Sequence, residues 1–335
     1  MTRNTRYFML GSFAILVAGL CAGMVAYYGG LPIGALARQP GPDELAYVPA
    51  DAAVVAYADI HGVMTSEMRR RLKQVMPGDQ KGQQELKDKT GIDLERDIDH
   101  VVACLVPKAT EEGTDSGFVA FRGRFDAARL ESLAREHGAS VEDYKGTRLV
   151  RMEGRDDEGR SKEHGQMALA FAETGLVMFG DERSVKLALD THESGRGVRD
   201  NEELMRHVKG VETGANAWAV GRFDVLASRA KLPEGVSSQI PAIKWFSAAG
   251  RVNGGMSGTV IAEARDDEAA KNLRDVLNGF MALARLQAGS RPELQTALQS
   301  LTLGGTGRTV ELSFTIPAEI LDAFAAKHEV AEDKP

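Results

Sequence analysis

Ala248 to Ala264 reads AAGRVNGGMSGTVIAEA. Two runs rich in Ala, Val, Ile and Thr flank Asn253-Gly254-Gly255, and an Asn-Gly step supplies the positive φ that a tight hairpin turn needs. The pattern recurs at Ser300 to Phe314, SLTLGGTGRTVELSF, around Gly304-Gly305. Strands joined by turns this short pair antiparallel, because a parallel neighbour needs a crossover of a dozen or more residues. Antiparallel sheet with helices packed on one face, an α+β architecture, is therefore expected in place of a doubly wound parallel one.

Working outward, one local device repeats: an apolar strand, an Asp or Pro at its end, then an amphipathic helix. The strand at Ala52 to Ala58 ends at Asp59, GFVAFRGRFD at Asp126, ALAFAETGLVMFGD at Asp181, NAWAVGRFD at Asp224, GTVIAEARDD at Asp266 and Asp267, and ELSFTIP at Pro317. An Asp in that place accepts hydrogen bonds from the open amides of the first helical turn, and Pro there loses no donor that the helix would have used. These carboxylates read as caps. In the longest helix Leu273, Val276, Leu277, Phe280, Met281 and Ala284 follow the spacing of a single apolar face, as do Leu130, Leu133 and Ala134 earlier.

The same series of elements runs twice, which points to a duplication: a first α+β unit at 51–195 and a second at 196–328, with a polar tail at 329–335. The quartet Gly-Arg-Phe-Asp at 123–126 and 221–224 falls on different members of the two series. Two polar inserts, PKATEEGTDSG after Val106 and EGRDDEGRSKEHG after Met152, read as surface hairpin loops.

Ahead of the folded part, Tyr7 to Gly30 (YFMLGSFAILVAGLCAGMVAYYGG) contains no charged residue. At ~1.5 Å of rise per residue it reaches roughly 36 Å as a helix, more than the ~30 Å hydrocarbon core of a bilayer. Arg3 and Arg6 precede it and the next basic residue is Arg38. By the positive-inside rule the amino end stays cytoplasmic and the bulk of the chain is extracytoplasmic. Residues 1–30 are thus an anchor or signal segment: a single-pass inner (cytoplasmic) membrane protein, or a secreted or periplasmic one if the chain is cut after Ala37 in Ala35-Leu36-Ala37. Leu20 before Cys21 argues against a lipoprotein site. Residues 31–50, with Pro32, Pro40, Pro42 and Pro49, read as a Pro/Gly-rich tether.

A short basic amino end, one apolar segment, a Pro/Gly tether and then YVPADAAVVAYADI (residues 47–60) opening a duplicated α+β ectodomain resembles a group of uncharacterised single-pass extracytoplasmic bacterial proteins. The resemblance implies placement and layout, and no activity or site residues.

The chain of 335 residues is 43% hydrophobic and 27% charged, the balance of a globular protein, and exceeds the length at which one core stops growing. A net charge of -7 and a pI near 5.6 argue against a nucleic-acid partner, which needs clustered cations for phosphates. Cys21 and Cys104 are too few for a disulfide framework.

No catalytic, cofactor-binding or metal residues are assigned. The histidines, His61, His100, His137, His164, His192, His207 and His328, show no metal-ligand spacing, and acids beside them in sequence point away from them on helices and strands. Asp156-Asp157-Glu158 lacks the alternating acids of a calcium loop. Ser228 and Lys231 form S-x-x-K without its partner motifs, and Lys145-Gly146-Thr147 has the wrong order. Gly255-Met256-Ser257-Gly258 misses the nucleophile elbow and falls in an expected turn. Gly304 to Thr309 lacks the lysine of a phosphate loop and joins two strands. Arg69, Arg70, Arg71 and Lys73 read as a solvated helix face that is also able to meet anionic lipid. Trp218, Trp245, Phe246 and Phe280 read as core, with a ligand groove as the other option.

Three functional readings follow. The first is a non-enzymatic, membrane-tethered binding or scaffold module for another envelope component. The second is a carrier or sensor of an apolar small molecule such as a lipid. The third is an enzyme with a noncontiguous site.

Overall fold

The computed structural model describes residues 41–67, 69–70, 80–107, 116–152, 166–223, 225, 242–252, 255–288 and 292–318. The apolar run Tyr7–Gly30 and the first part of the tether lie outside them, as do residues 108–115 and 153–165 of the two polar inserts. Among the described residues no helix is long and apolar enough to cross a membrane.

The fold is mixed α+β with antiparallel pairing, and the chain forms two compact units. The first takes in Ala37–His61 and Asp79–Arg206, the second Gly62–Gly78 and His207–Pro335. Two helices, α1 (Ile60–Met64) and α5 (Glu202–Val211), carry the chain across the division.

In the first unit the strands are β1 (Val54–Ala58), β2 (Ile98–Val106), β3 (Ser116–Gly123), β4 (Ser140–Tyr144), β5 (Thr147–Met152), β6 (Met167–Glu173) and β7 (Leu176–Asp181). They lie in the order β1-β2-β3-β7-β6-β5-β4. Consecutive hairpins make the run β4 to β7, and β7 then returns to pair with β3, Phe121 opposite Val177. The β4–β5 turn puts Lys145 at φ 52 and Gly146 at φ 81, the two left-handed residues of a primed turn. Helices α2 (Gln80–Thr90), α3 (Ala127–Glu136) and α4 (Glu182–Ser194) complete the unit.

The expected caps form: Asp126 accepts from the Arg129 amide at 3.0 Å and Asp181 from the Ser184 amide at 3.1 Å. Each satisfies an open donor of the first turn. Adjacent Leu149 and Val150 point to opposite faces of β5 and both are fully buried. At β5 the sheet is covered on both faces, where the sequence pattern leads one to expect helices on one.

Residues 43–48, which the sequence reading gives to the tether, belong to this unit. Asp43–Tyr47 forms a 3-10 turn whose Glu44, Leu45 and Tyr47 are buried. The Val198 amide donates to the Val48 carbonyl at 2.7 Å and the Asn201 side-chain amide to the Ala50 carbonyl at 2.8 Å. Pro42 leaves the chain extended just before the turn, and the apolar Leu45 and Val48 supply the burial that fixes it.

The second unit holds β8 (Ala217–Arg222), β9 (Ile243–Val252), β10 (Gly255–Ala264), β11 (Thr302–Gly304) and β12 (Thr309–Pro317), in the order β11-β12-β10-β9-β8. Both expected hairpins are present: Val252 opposes Met256, and Gly304 opposes Glu311. Gly255 to Gly258 lie in strand β10 rather than in a turn, with Gly255 opposite Pro317. Helix α6 (Asp267–Ala288) is capped by Asp266, which accepts from the Ala269 amide at 2.8 Å, and α7 (Pro292–Gln299) follows. Ala269, Ala270 and Leu273 of α6 pack with Ala264 and Val310, and Leu277 joins them at the margin.

Candidate functional site

The most buried charged side chain among the described residues of the first unit is Glu44, 1% exposed. The 3-10 turn aims it at the sheet, where register decides what it meets. His100 of β2 lies opposite Arg122 of β3, Arg122 opposite Leu176 of β7, and Leu176 opposite Glu173 of β6. These four positions form one lateral row across the sheet, so their side chains share a face. Glu44 takes both near partners: Arg122 Nε donates to Oε1 at 2.6 Å, and His100 Nε2 stands 2.8 Å from Oε2. The far side of the Arg122 guanidinium donates to Glu173 Oε1 at 3.0 Å, and Tyr47 Oη donates to the same oxygen at 3.4 Å. Tyr47 stacks on His192 of α4 with ring centroids 4.1 Å apart, and Tyr57 tilts against His100 at 5.5 Å.

The electrostatics follow from this packing. Burial by itself raises the Glu44 pKa, but the hydrogen bond and charge of His100 and the bond from Arg122 outweigh it and bring it down to about 2. Tyr47 goes the other way: burial first, then the Glu173 carboxylate, push its phenol up to about 12. A general base works best with a pKa near the working pH. Glu44, held near 2 and doubly hydrogen-bonded, is a poor proton acceptor, and Tyr47 keeps its proton. The cluster is chemically a fixed counter-ion lattice, one that ties the 43–47 turn to three strands, β2, β3 and β6.

The second unit has a looser arrangement of the same residue types. His207 Nε2 lies 3.5 Å from Glu263 Oε2, Arg308 reaches Glu263 Oε1 at 3.7 Å, and the His207 ring stacks on Trp245 at 4.8 Å.

The remaining sequence candidates separate. His61 is on α1, and His137 bonds the Leu133 carbonyl at 2.8 Å at the end of α3. His164, His328, Asp156 to Glu158, Ser228, Lys231, Arg71 and Lys73 lie outside the described residues. Among the described residues no group of three His, Cys, Asp or Glu is placed to hold a metal ion. Cys104 is buried, and burial pushes its thiol up to about 12. Arg69 is not on a solvated face: it is 3% exposed, and its amide bonds Ser66 Oγ at 3.0 Å. Arg70 is exposed and pairs with Glu67. Consecutive residues of a helix point ~100° apart, so a run of arginines cannot stay on one face.

Trp218 and Trp245 are core residues, 3% and 2% exposed. Trp245 and Phe246 are neighbours on β9 and point to opposite faces, so they do not line one groove. Phe280 is not core. On α6, Val276, Phe280, Leu283 and Leu286 are 41%, 64%, 56% and 79% exposed, a stripe of large apolar side chains open to solvent. The inward face uses Ala269, Ala270 and Leu273 instead. The helix is apolar round more of its circumference than the sheet covers, and that breadth was readable in LNGFMALARLQA, although which part stays open was not.

No family model matches this chain, and no curated protein matches its sequence. One solved structure, crystal form I of TP0453, aligns over 87% of this chain and 99% of its own, with 11% identity and a TM-score of 0.47.

Proposed function

We propose that this protein is a membrane-tethered, extracytoplasmic binding module that holds another component of the cell envelope without chemically transforming it. The observation that carries the reading is the open face of α6, because exposed contiguous apolar surface of this kind marks interaction sites. The locked state of Glu44 adds to it, since the best-buried charge in the first unit serves packing. The uncharged run Tyr7–Gly30 behind Arg3 and Arg6 supports a single pass through the inner membrane with the amino end cytoplasmic; cleavage after Ala37 gives a periplasmic or secreted form of the same module. Residues 51–195 and 196–328 are read as two copies of one α+β unit.

A photoactivatable residue at Phe280, introduced into the full chain in its native membrane, tests the binding function. A discrete adduct, absent when the same residue replaces Lys271, is expected. Absence of any adduct from 280, 283 and 286 refutes the reading. A reporter enzyme active only outside the cytoplasm, fused after Pro335, tests the topology, and a silent, well-expressed fusion refutes that part.

A further inference from the structure

We propose that the second unit holds a hydrocarbon chain, the acyl group of a fatty acid or of a lipid, in a channel that runs along β10 between the sheet and the side of α6. The inference rests on the binding-module reading and names the class of ligand.

The floor of the channel follows from strand register. Ala248, Val260 and Leu312 lie in one row across β9, β10 and β12 and share a face. On that face every residue of β10 from Met256 to Ala264 is apolar or glycine, whereas Ser257, Thr259 and Glu263 take the other. This is the face on which α6 packs, at Ala264 and Val310. Those two are 1% and 2% exposed, yet four residues along β10 Val260 is 46% exposed, although strands flank it on both sides. A row across the middle of the first unit's sheet, Ala120, Met178 and Ala170, is by contrast fully buried.

Two walls bound this strip. On one side Ala217 and Ala219 of β8, opposite Gly250 and Ala248, share the face and are buried, so cover resumes there. On the other stands α6. At ~100° per residue, Arg274 lies roughly 85° to one side of the packed line Ala269, Ala270, Leu273 and Leu277, while Val276, Phe280 and Leu283 lie roughly 35–95° to the other. Arg274 Nη2 donates to the carbonyls of Gly307 and Thr309, at 2.9 and 2.8 Å, on the side of the β11–β12 turn. The apolar flank therefore overhangs β10 and β9. Leu286, roughly 155° round, faces away from the sheet and takes no part.

What the channel lacks, and its width, decide the occupant. Strands β9 and β10 are each paired on both sides, so their amides and carbonyls are spent in the ladders, and the floor between them offers no hydrogen-bonding side chain. An extended peptide laid there buries polar groups without partners, at roughly 1–3 kcal/mol each. A helix satisfies its own backbone but is ~10–12 Å across with its side chains, and the floor between β8 and α6 is only two strand spacings, ~10 Å. A hydrocarbon chain is thinner and asks for no hydrogen bond. From Ala262 to Met256 the floor runs roughly 20 Å at ~3.3 Å per residue, room for a long-chain acyl group lying along β10. Its closed end is the packing of α6 on Ala264 and Val310.

The test uses the full chain held in an amphipathic polymer and two probes, palmitic acid with a diazirine on its chain and phosphatidylglycerol carrying the same acyl group. After irradiation, adducts are mapped by mass spectrometry of the digested chain. A saturable adduct on β9, β10 or the Val276 to Leu283 side of α6 is expected, and whichever probe gives it identifies the source of the chain. A248W and V260W, each placing a large ring on the floor, are expected to lower the yield at least roughly tenfold with the circular dichroism spectrum unchanged, and L286W, outside the channel, to leave it unchanged. No saturable adduct at those positions from either probe overturns the inference, as does a yield that both folded floor variants leave unchanged; the site of the adduct on the unsubstituted chain decides if neither variant folds. Where the inference fails, a protein adduct from the photoactivatable residue at Phe280 leaves the binding-module reading standing, and no adduct removes both.

Discussion

Replacing Glu44 by Gln removes the charge around which the first unit's polar lattice is built, and the consequence can be worked from the structure. In the folded protein the carboxyl drops from 4.5 to about 2 because His100 and Arg122 outweigh the cost of burial. At ~1.36 kcal/mol per pKa unit, a displacement of about 2.5 corresponds to a ceiling of about 3.4 kcal/mol. His100 and Arg122 are each 24% exposed at the side chain, so water screens part of this, and about 2 kcal/mol is expected. Because the folded pKa lies below the unfolded one, the contribution is complete above about pH 4.5 and is lost as the pH falls toward 2. The neutral amide also leaves Arg122 without one of its two carboxylates. The assay is urea denaturation of the full chain in mild detergent, followed by far-ultraviolet circular dichroism, since Trp218 and Trp245 both lie in the second unit and do not report the first. The Glu44→Gln protein should be less stable by about 2 kcal/mol at pH 7, and the deficit should shrink below about 1 kcal/mol near pH 2.5. A deficit under about 0.5 kcal/mol at pH 7, or one equal at both pH values, refutes the electrostatic account.

Three further outcomes are expected. Gly123→Ala places a Cβ against the Asp97 carbonyl at the β2–β3 irregularity, a backbone contact that cannot swing aside, and should cost about 2 kcal/mol or more; Gly146→Ala, with open space around it but φ 81, should cost about 1, and thermal denaturation separates them. Asp181→Ala removes the cap on the Ser184 amide and should lower stability by about 1 kcal/mol, read as a shifted denaturation midpoint. Cys104, buried with its thiol pushed up to about 12, should resist a disulfide reagent at pH 8 in the native protein and react fully in urea; fast native labelling at that position would contradict its burial.

What was legible in the chain was local. Strand β9 ends at Val252 and β10 opens opposite it at Met256, as the hairpin reading of that stretch requires, and Gly304 to Thr309 sit where β11 turns into β12, because turn chemistry is set by the residues in the turn. Asp126, Asp181 and Asp266 cap as their positions imply, since a cap needs only its own carboxylate and an amide three residues on. The reasoning that sequence neighbours of a histidine point away from it also holds at His100, whose carboxylate partner is Glu44, 56 residues distant. Glu44, Arg122 and Glu173 carried no signal of their own. Each is an ordinary charged residue in sequence; only strand register brings Arg122 and Glu173 into one row, and only the packing of the 43–47 turn sets Glu44 against it.

The amino-acid sequence by itself determined the class, α+β with antiparallel hairpins, the strand-exit caps at Asp126, Asp181 and Asp266 and the absence of any contiguous catalytic motif, because these depend on interactions within a few residues. The tertiary structure alone decided three things. It set the order in which β7 returns beside β3, it folded residues 43–48 into the first unit with Glu44 on the sheet, and it divided the apolar girth of α6 into a covered side and an open one. All three depend on long-range burial: which apolar surface finds a partner is settled by the whole packed chain, and periodicity along a helix or strand specifies only that some face must.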